Sequence, residues 1–152
     1  MSRTTTAPTA DLTTTFGRLV EAYTSLERQL GRALEERCDI THGWFEVLLR
    51  LDRAEDGQVS MGSLAEQVAL TTGGATRMVD RMIAAGYVER VPCPTDRRIV
   101  YVALTAAGRA KLAEAATIHA ANLERVFSGF SDGELGVLDT MLDRLREARL
   151  AP

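Results

Sequence analysis

The stretch Tyr87–Thr105, YVERVPCPTDRRIVYVALT, restricts this chain more than any other. Two runs rich in β-branched and aromatic residues, Tyr87–Val91 and Ile99–Leu104, flank a tip that holds two prolines, an aspartate and two adjacent arginines. Strand formers on either side of turn formers predict a hairpin with a charged, projecting loop. Arg97 and Arg98 carry fixed charge on planar donor forks that suit phosphate or base edges, and Asp96 stands near enough to orient one of them. An ordinary hairpin with a solvated tip has the same pattern, so the segment before it decides between the two.

That segment predicts a pair of helices. Ser60 is placed to cap a short one, MGSLAEQV. After Ala69–Leu70 a longer helix begins at Thr71 or Thr72, turns Ala75, Met78, Val79 and Met82 inward and stops at Gly86. Its outward face bears Thr72, Thr76, Arg77 and Arg81. A short helix, a tight turn and a longer helix make the helix-turn-helix layout, here joined directly to a basic-tipped hairpin.

Both ends of the chain are written differently. Residues 1–10 are Thr-rich and predict a disordered tail. From Asp11 onward Leu12, Phe16, Leu19, Tyr23, Leu26, Leu30 and Ala33 step by four and three along a helix to about Arg37, roughly 40 Å long, more than a small domain needs to cover its own core. Asp39 or Thr41 caps the next helix, with Trp44, Val47, Leu48 and Leu51 on one face. Thr105 caps a long helix with a seam of Leu112, Ala116, His119, Leu123 and Val126. Ser131 and Glu134 form a capping-box pattern for a last helix with Leu135, Leu138, Leu142 and Leu145 inside. The seams at the two ends predict a dimer that carries two copies of the middle segment.

At this length one domain is expected. The net charge of −3 weighs against a nucleic-acid partner until its distribution is read: residues 61–105 hold five arginines against four acids, so the acidity lies mostly elsewhere. No run is long and apolar enough for a membrane span, and MSRTTTAPTA has no signal-peptide core, which predicts a cytoplasmic protein without a membrane partner. Cys38 and Cys93 stand far apart with no CxxC and only two histidines in the chain, so two free thiols and no zinc site are expected. No catalytic constellation or phosphate-cradling loop occurs, which predicts neither an enzyme nor a cofactor. The competing function is a non-DNA-binding dimeric adaptor.

The run Asp96–Thr105, DRRIVYVALT, resembles the DxRxxxVxLT wing signature of the MarR family of winged-helix transcriptional regulators, and LAEQVALTTGGATRMVDRMIAAGYVER is similar to that family's helix-turn-helix and following strand. The likeness is close over about residues 40–112. It implies a mainly α fold with a small β-hairpin wing: residues 11–152 as a single domain, 40–105 as the winged helix-turn-helix, 11–37 and 106–148 as dimerisation helices. It further implies a homodimer on a pseudo-palindromic double-stranded operator, a recognition helix bearing Thr72, Gly73, Thr76, Arg77 and Arg81 in the major groove, and a wing bearing Asp96, Arg97 and Arg98 in the minor groove. Gly73 and Gly74 stand where the family often carries side chains that reach DNA; close backbone approach to phosphate, or a helix beginning only at Gly74 or Ala75, would account for them. Relatives often bind small anionic aromatic effectors where dimerisation helices meet the winged domain, which makes His42, Trp44 and His119 the candidate ligand residues and repression the expected outcome.

Overall fold

The computed structural model describes residues 11–68 and 72–148, with Thr72 described by its backbone alone. The predicted tail at 1–10 lies outside the described residues. The described residues form two compact units that divide between His119 and Ala120.

The first unit opens with α1, Leu12–Cys38, whose N-cap Asp11 accepts from the Thr13 amide and whose last turn is closed by Asp39 in the left-handed conformation (φ 55°). Asp39 therefore ends one helix, and Thr41 begins the next: its hydroxyl accepts from the Trp44 amide at the start of α2, His42–Arg53. Between α2 and α3 (Met61–Gln67) the chain turns at Gly57, whose φ of +67° favours glycine, and lays down a short strand β1, Gln58–Ser60. The recognition-type helix α4 is Thr72–Ala84; it includes both glycines, so it does not start late at Gly74 or Ala75. Gly86 (φ +80°) ends it, and strands β2 (Val88–Pro92) and β3 (Val100–Leu104) form the hairpin.

The sheet has three antiparallel strands in the order β1-β3-β2, with Val59 opposite Val102 and Arg90 opposite Val102 on the other side. The expected hairpin thus gains a third strand that anchors its base. Val102 and Leu104 point from β3 into a core built with Leu34, Phe45, Val47, Leu48, Leu51, Leu64, Val79 and Met82. Burial of this apolar surface is what holds the helix-turn-helix on the sheet.

Helix α5, Ala106–Phe127, leaves the wing under close restraint. The Thr105 hydroxyl donates to the Gly86 carbonyl at 2.6 Å and accepts from the Gly108 amide at 3.0 Å. A Cβ on Gly108 would stand 1.9 Å from the Tyr87 carbonyl oxygen, so only glycine permits this approach. Lys111 adds a hydrogen bond from its ammonium to the Cys38 carbonyl at 3.0 Å, tying α5 to the end of α1.

In the second unit α6, Asp132–Glu147, begins with the capping box expected at Ser131 and Glu134, the Ser131 oxygen accepting from the Glu134 amide and the Glu134 carboxylate from the Ser131 amide. Those contacts hold the Glu134 carboxyl below the usual carboxylate range. The expected interior face of α6 is not interior within one chain: no α6 residue is buried, and Leu138, Leu142 and Leu145 are exposed.

Candidate nucleic-acid interface

Ala75, Val79 and Met82 of α4 are buried against the core, which by helical spacing leaves Gly73, Arg77 and Arg81 toward solvent and Thr76 at the edge. The Arg77 guanidinium reaches back to the Gly73 carbonyl at 3.3 Å. A Cβ at Gly73 would meet nothing within 4 Å, so no internal packing demands the glycine. The surface there is open to a close-lying backbone. The Thr72 side chain lies outside the described residues.

At the wing tip the Cys93 amide donates to the Ile99 carbonyl at 3.2 Å and closes the loop. Asp96 accepts from both the Arg98 amide at 2.9 Å and the Arg98 Nε at 3.4 Å, an arrangement that holds the arginine stem while its side chain stays 91% exposed. Arg97 beside it is exposed. The helix and the wing are not separate features: Ser60, Ser63 and Gln67 from β1 and α3, Thr76 from α4, and Arg90 and Arg98 from the wing line one open cleft. Such a surface offers hydroxyl, amide and guanidinium donors along one path, the chemistry that phosphate oxygens accept.

Of the three candidate ligand residues, the structure brings two together. The His42 and His119 rings lie 5.9 Å apart between centroids, and Phe45 packs 4.8 Å from His119. Trp44 points elsewhere, with its ring edge-on to Tyr87 at 6.1 Å and its indole beside Arg77, Met78 and Arg81 in a second open groove.

A family model described as MarR family matches residues 39–99. The Multiple antibiotic resistance protein MarR of Escherichia coli (strain K12) is 34% identical over 95 residues, which cover 62% of this chain and 65% of that protein, just under two thirds of its length. The HTH-type transcriptional regulator YsmB of Bacillus subtilis (strain 168) is 31% identical over 119 residues, covering 78% of this chain and 80% of that protein. This chain belongs to the MarR family. Among solved structures, a MarR family transcriptional regulator from Streptomyces coelicolor in complex with DNA aligns with a TM-score of 0.81 at 26% identity, over 91% of each chain. The family and these relatives are transcription regulators, not enzymes.

Within this MarR-family fold, one further group escaped the sequence reading, and one of the two expected free thiols stands in surroundings that spacing alone does not reveal. Arg90, on β2, donates from Nη2 to Asp80 Oδ1 of α4 at 2.7 Å, an ion pair that ties the wing to the recognition-type helix. Nothing local signals a partner across a turn, and strand alternation puts Arg90 on the face it shares with the buried Val88, opposite Val102 in register. Cys93 is that thiol: its Sγ lies 3.4 Å from the Thr95 hydroxyl, and that contact, with wing amides, holds the thiol below its ordinary range. Cys38 is the opposite, buried and pushed up by that burial. Among the described residues no cluster of three or more histidines, cysteines or acids has metal-binding geometry, and no helix is long and apolar enough to cross a membrane.

Proposed function

We propose that this chain is a sequence-specific double-stranded DNA-binding regulator that acts as a homodimer on a pseudo-palindromic operator and represses transcription from it. The observation that carries this reading is the shared cleft, in which Thr76 of α4 and Arg98 of the wing lie on one donor-lined surface beside the exposed Arg77 and Arg81. In this reading Thr72, Gly73, Thr76, Arg77 and Arg81 face the major groove and Asp96, Arg97 and Arg98 the minor groove. The Streptomyces coelicolor relative solved with DNA supports it. Residues 11–37 and 106–148 serve as dimerisation helices around a winged helix-turn-helix at 40–105. Their support is the uncovered apolar residues Leu12, Phe16, Leu19 and Tyr23 of α1 and Leu138, Met141, Leu142 and Leu145 of α6.

A small anionic aromatic effector releases the DNA in this proposal, held by His42 and His119, with Trp44 as a nearby fluorescent reporter rather than a wall of the same pocket. Release requires tighter binding to the arrangement that does not fit DNA. The test is binding of the purified chain to the double-stranded DNA immediately upstream of its own coding sequence, followed by fluorescence anisotropy across a salt series. A protected inverted repeat bound at least about 10³-fold over unrelated DNA, with affinity falling steeply as salt rises, is expected. Equal binding to all duplexes, or none, defeats the reading and favours the adaptor.

A further inference from the structure

The two histidines of this chain come from α2 and α5 and meet at one place. His42 stands between two carboxylates: its Nδ1 is 3.9 Å from Glu27 Oε1 of α1 and its Nε2 is 3.9 Å from Glu46 Oε1 of α2. Among the described residues His119 makes no such ion-pair contact. Its Nδ1 is buried without a hydrogen-bond partner among the described residues, and its ring lies against Phe45. The charged groups around the pair are Glu27, Arg28, Arg32 and Glu35 of α1, which line the groove that His42 borders, and Glu46 of α2 with its partner Arg50; α5 contributes His119 itself.

We propose that His42 and His119 form a proton-sensitive joint between α2 and α5, in which a proton taken up at His119, against the neighbouring His42 ring, drives the rings apart and releases DNA.

The asymmetry of the two rings is the reason. An imidazolium at His42 sits within reach of carboxylates on either nitrogen, whereas one at His119 lies against the Phe45 ring and faces the His42 ring with 5.9 Å between centroids. Burial first, and then the His42 charge, hold His119 below the ordinary histidine value of 6.5, with Glu46 opposing them weakly. The sign follows from linkage: a base whose folded value is depressed binds fewer protons folded than unfolded, so its contribution to stability is complete above about 6.5 and is lost as pH falls through the window below it. The part concerning DNA rests on the regulator reading. It works through α5, the helix that carries the chain out of the wing.

The experiment follows the imidazole resonances by NMR, the melting temperature and the affinity for the upstream DNA in the full chain, between about pH 7.5 and about pH 5.5. Two separated titration steps are expected, the lower one below the ordinary histidine range. Wild-type melting temperature should fall over this span and DNA affinity should drop about fivefold or more. His119→Phe, which keeps a ring and removes the proton, should flatten both profiles, each normalised to its own value at the upper pH. His42→Gln should move the His119 titration up, a result that does not depend on the phenylalanine variant folding. Two independent titrations near the ordinary value, or an unchanged profile in His119→Phe, overturn the joint. A joint that titrates as described while DNA affinity stays level overturns its link to DNA. No binding of upstream DNA at either pH refutes the regulator reading instead, and the NMR and melting data then judge the joint alone.

Discussion

Helices α2 and α6 carry the same kind of apolar period and end in opposite surroundings. On α2, Val47, Leu48 and Leu51 are at most 1% exposed, enclosed by α1, β1 and β3, whereas on α6 Leu142 and Leu145 are 43% and 57% exposed. A periodic stripe specifies that a face must be covered; it does not say what covers it. For α2 the cover is supplied by the same chain. For α6, and for Leu12, Phe16 and Tyr23 at the start of α1, it is not supplied within the described chain.

The sharpest way to break this comparison is to make the same cut in both helices. Leu48→Ala leaves a cavity in a fully enclosed site and should lower the unfolding free energy by about 2–5 kcal/mol, independently of protein concentration. Leu142→Ala should cost far less where the chain is monomeric, and its effect should grow with concentration as a partner covers the stripe. Chemical denaturation at two protein concentrations checks this; equal, concentration-independent losses would mean that α6 is covered within its own chain.

Charge on the uncovered face is the next test. Phe16→Glu places a carboxylate in the middle of the α1 stripe, at a position 67% exposed in the single chain, where it should be harmless to the monomer. If the stripe is the dimer surface, sedimentation equilibrium should register weaker association by about 2 kcal/mol or more, the size expected when a buried aromatic anchor is lost. An unchanged dimer would move the interface elsewhere on the molecule.

These two stripes also explain what was legible beforehand. Helices α1 to α5 follow from their apolar spacing and from caps such as Thr41, Ser60 and Thr105, because those signals are local. Strand β1 was not legible: three residues after the turn at Gly57 carry no period, and its place is fixed by pairing with residues more than forty positions later. Phe45 was missed as a core residue for a similar reason, since its cover comes from α5, through His119. The wing tip was legible because arginines among turn formers cannot be core, but the partner of Arg90 was not, because only the folded turn brings Asp80 to it. The separation of Trp44 from His42 has the same origin: neighbouring positions on a helix point in different directions.

Glycines give a smaller contrast of the same kind. Gly108→Ala forces a methyl group toward the Tyr87 carbonyl and should cost about 1–3 kcal/mol through displacement of α5 from the wing. Gly136→Ala, in α6, meets nothing within 4 Å, so it should be neutral or stabilise by up to about 1 kcal/mol from helix propensity alone. Thermal melts of both variants suffice. A destabilising Gly136→Ala would indicate a close neighbour on that face in the assembled protein.

The least costly change tests whether the comparison holds for charges as well as for apolar groups. Arg90 is tied to Asp80 at 2.7 Å with its side chain 40% exposed, while Arg98 is 91% exposed and held only through its stem by Asp96. Arg98 is thus left with donors for an outside partner, and Arg90 has part of its fork occupied within the fold. Arg98→Ala should leave the melting temperature in place and weaken upstream-DNA binding about tenfold. Arg90→Ala should instead remove about 0.2–1 kcal/mol of stability, the range of a surface ion pair, and weaken DNA binding only insofar as the wing loses its set against α4. Because Asp80→Ala breaks the same contact from the other side, the double variant Asp80→Ala/Arg90→Ala should cost less than the two single changes together. Additive losses in that cycle would mean that Arg90 and Asp80 do not stabilise one another, and that the distinction drawn here between a charge engaged inside the fold and one left for a partner fails.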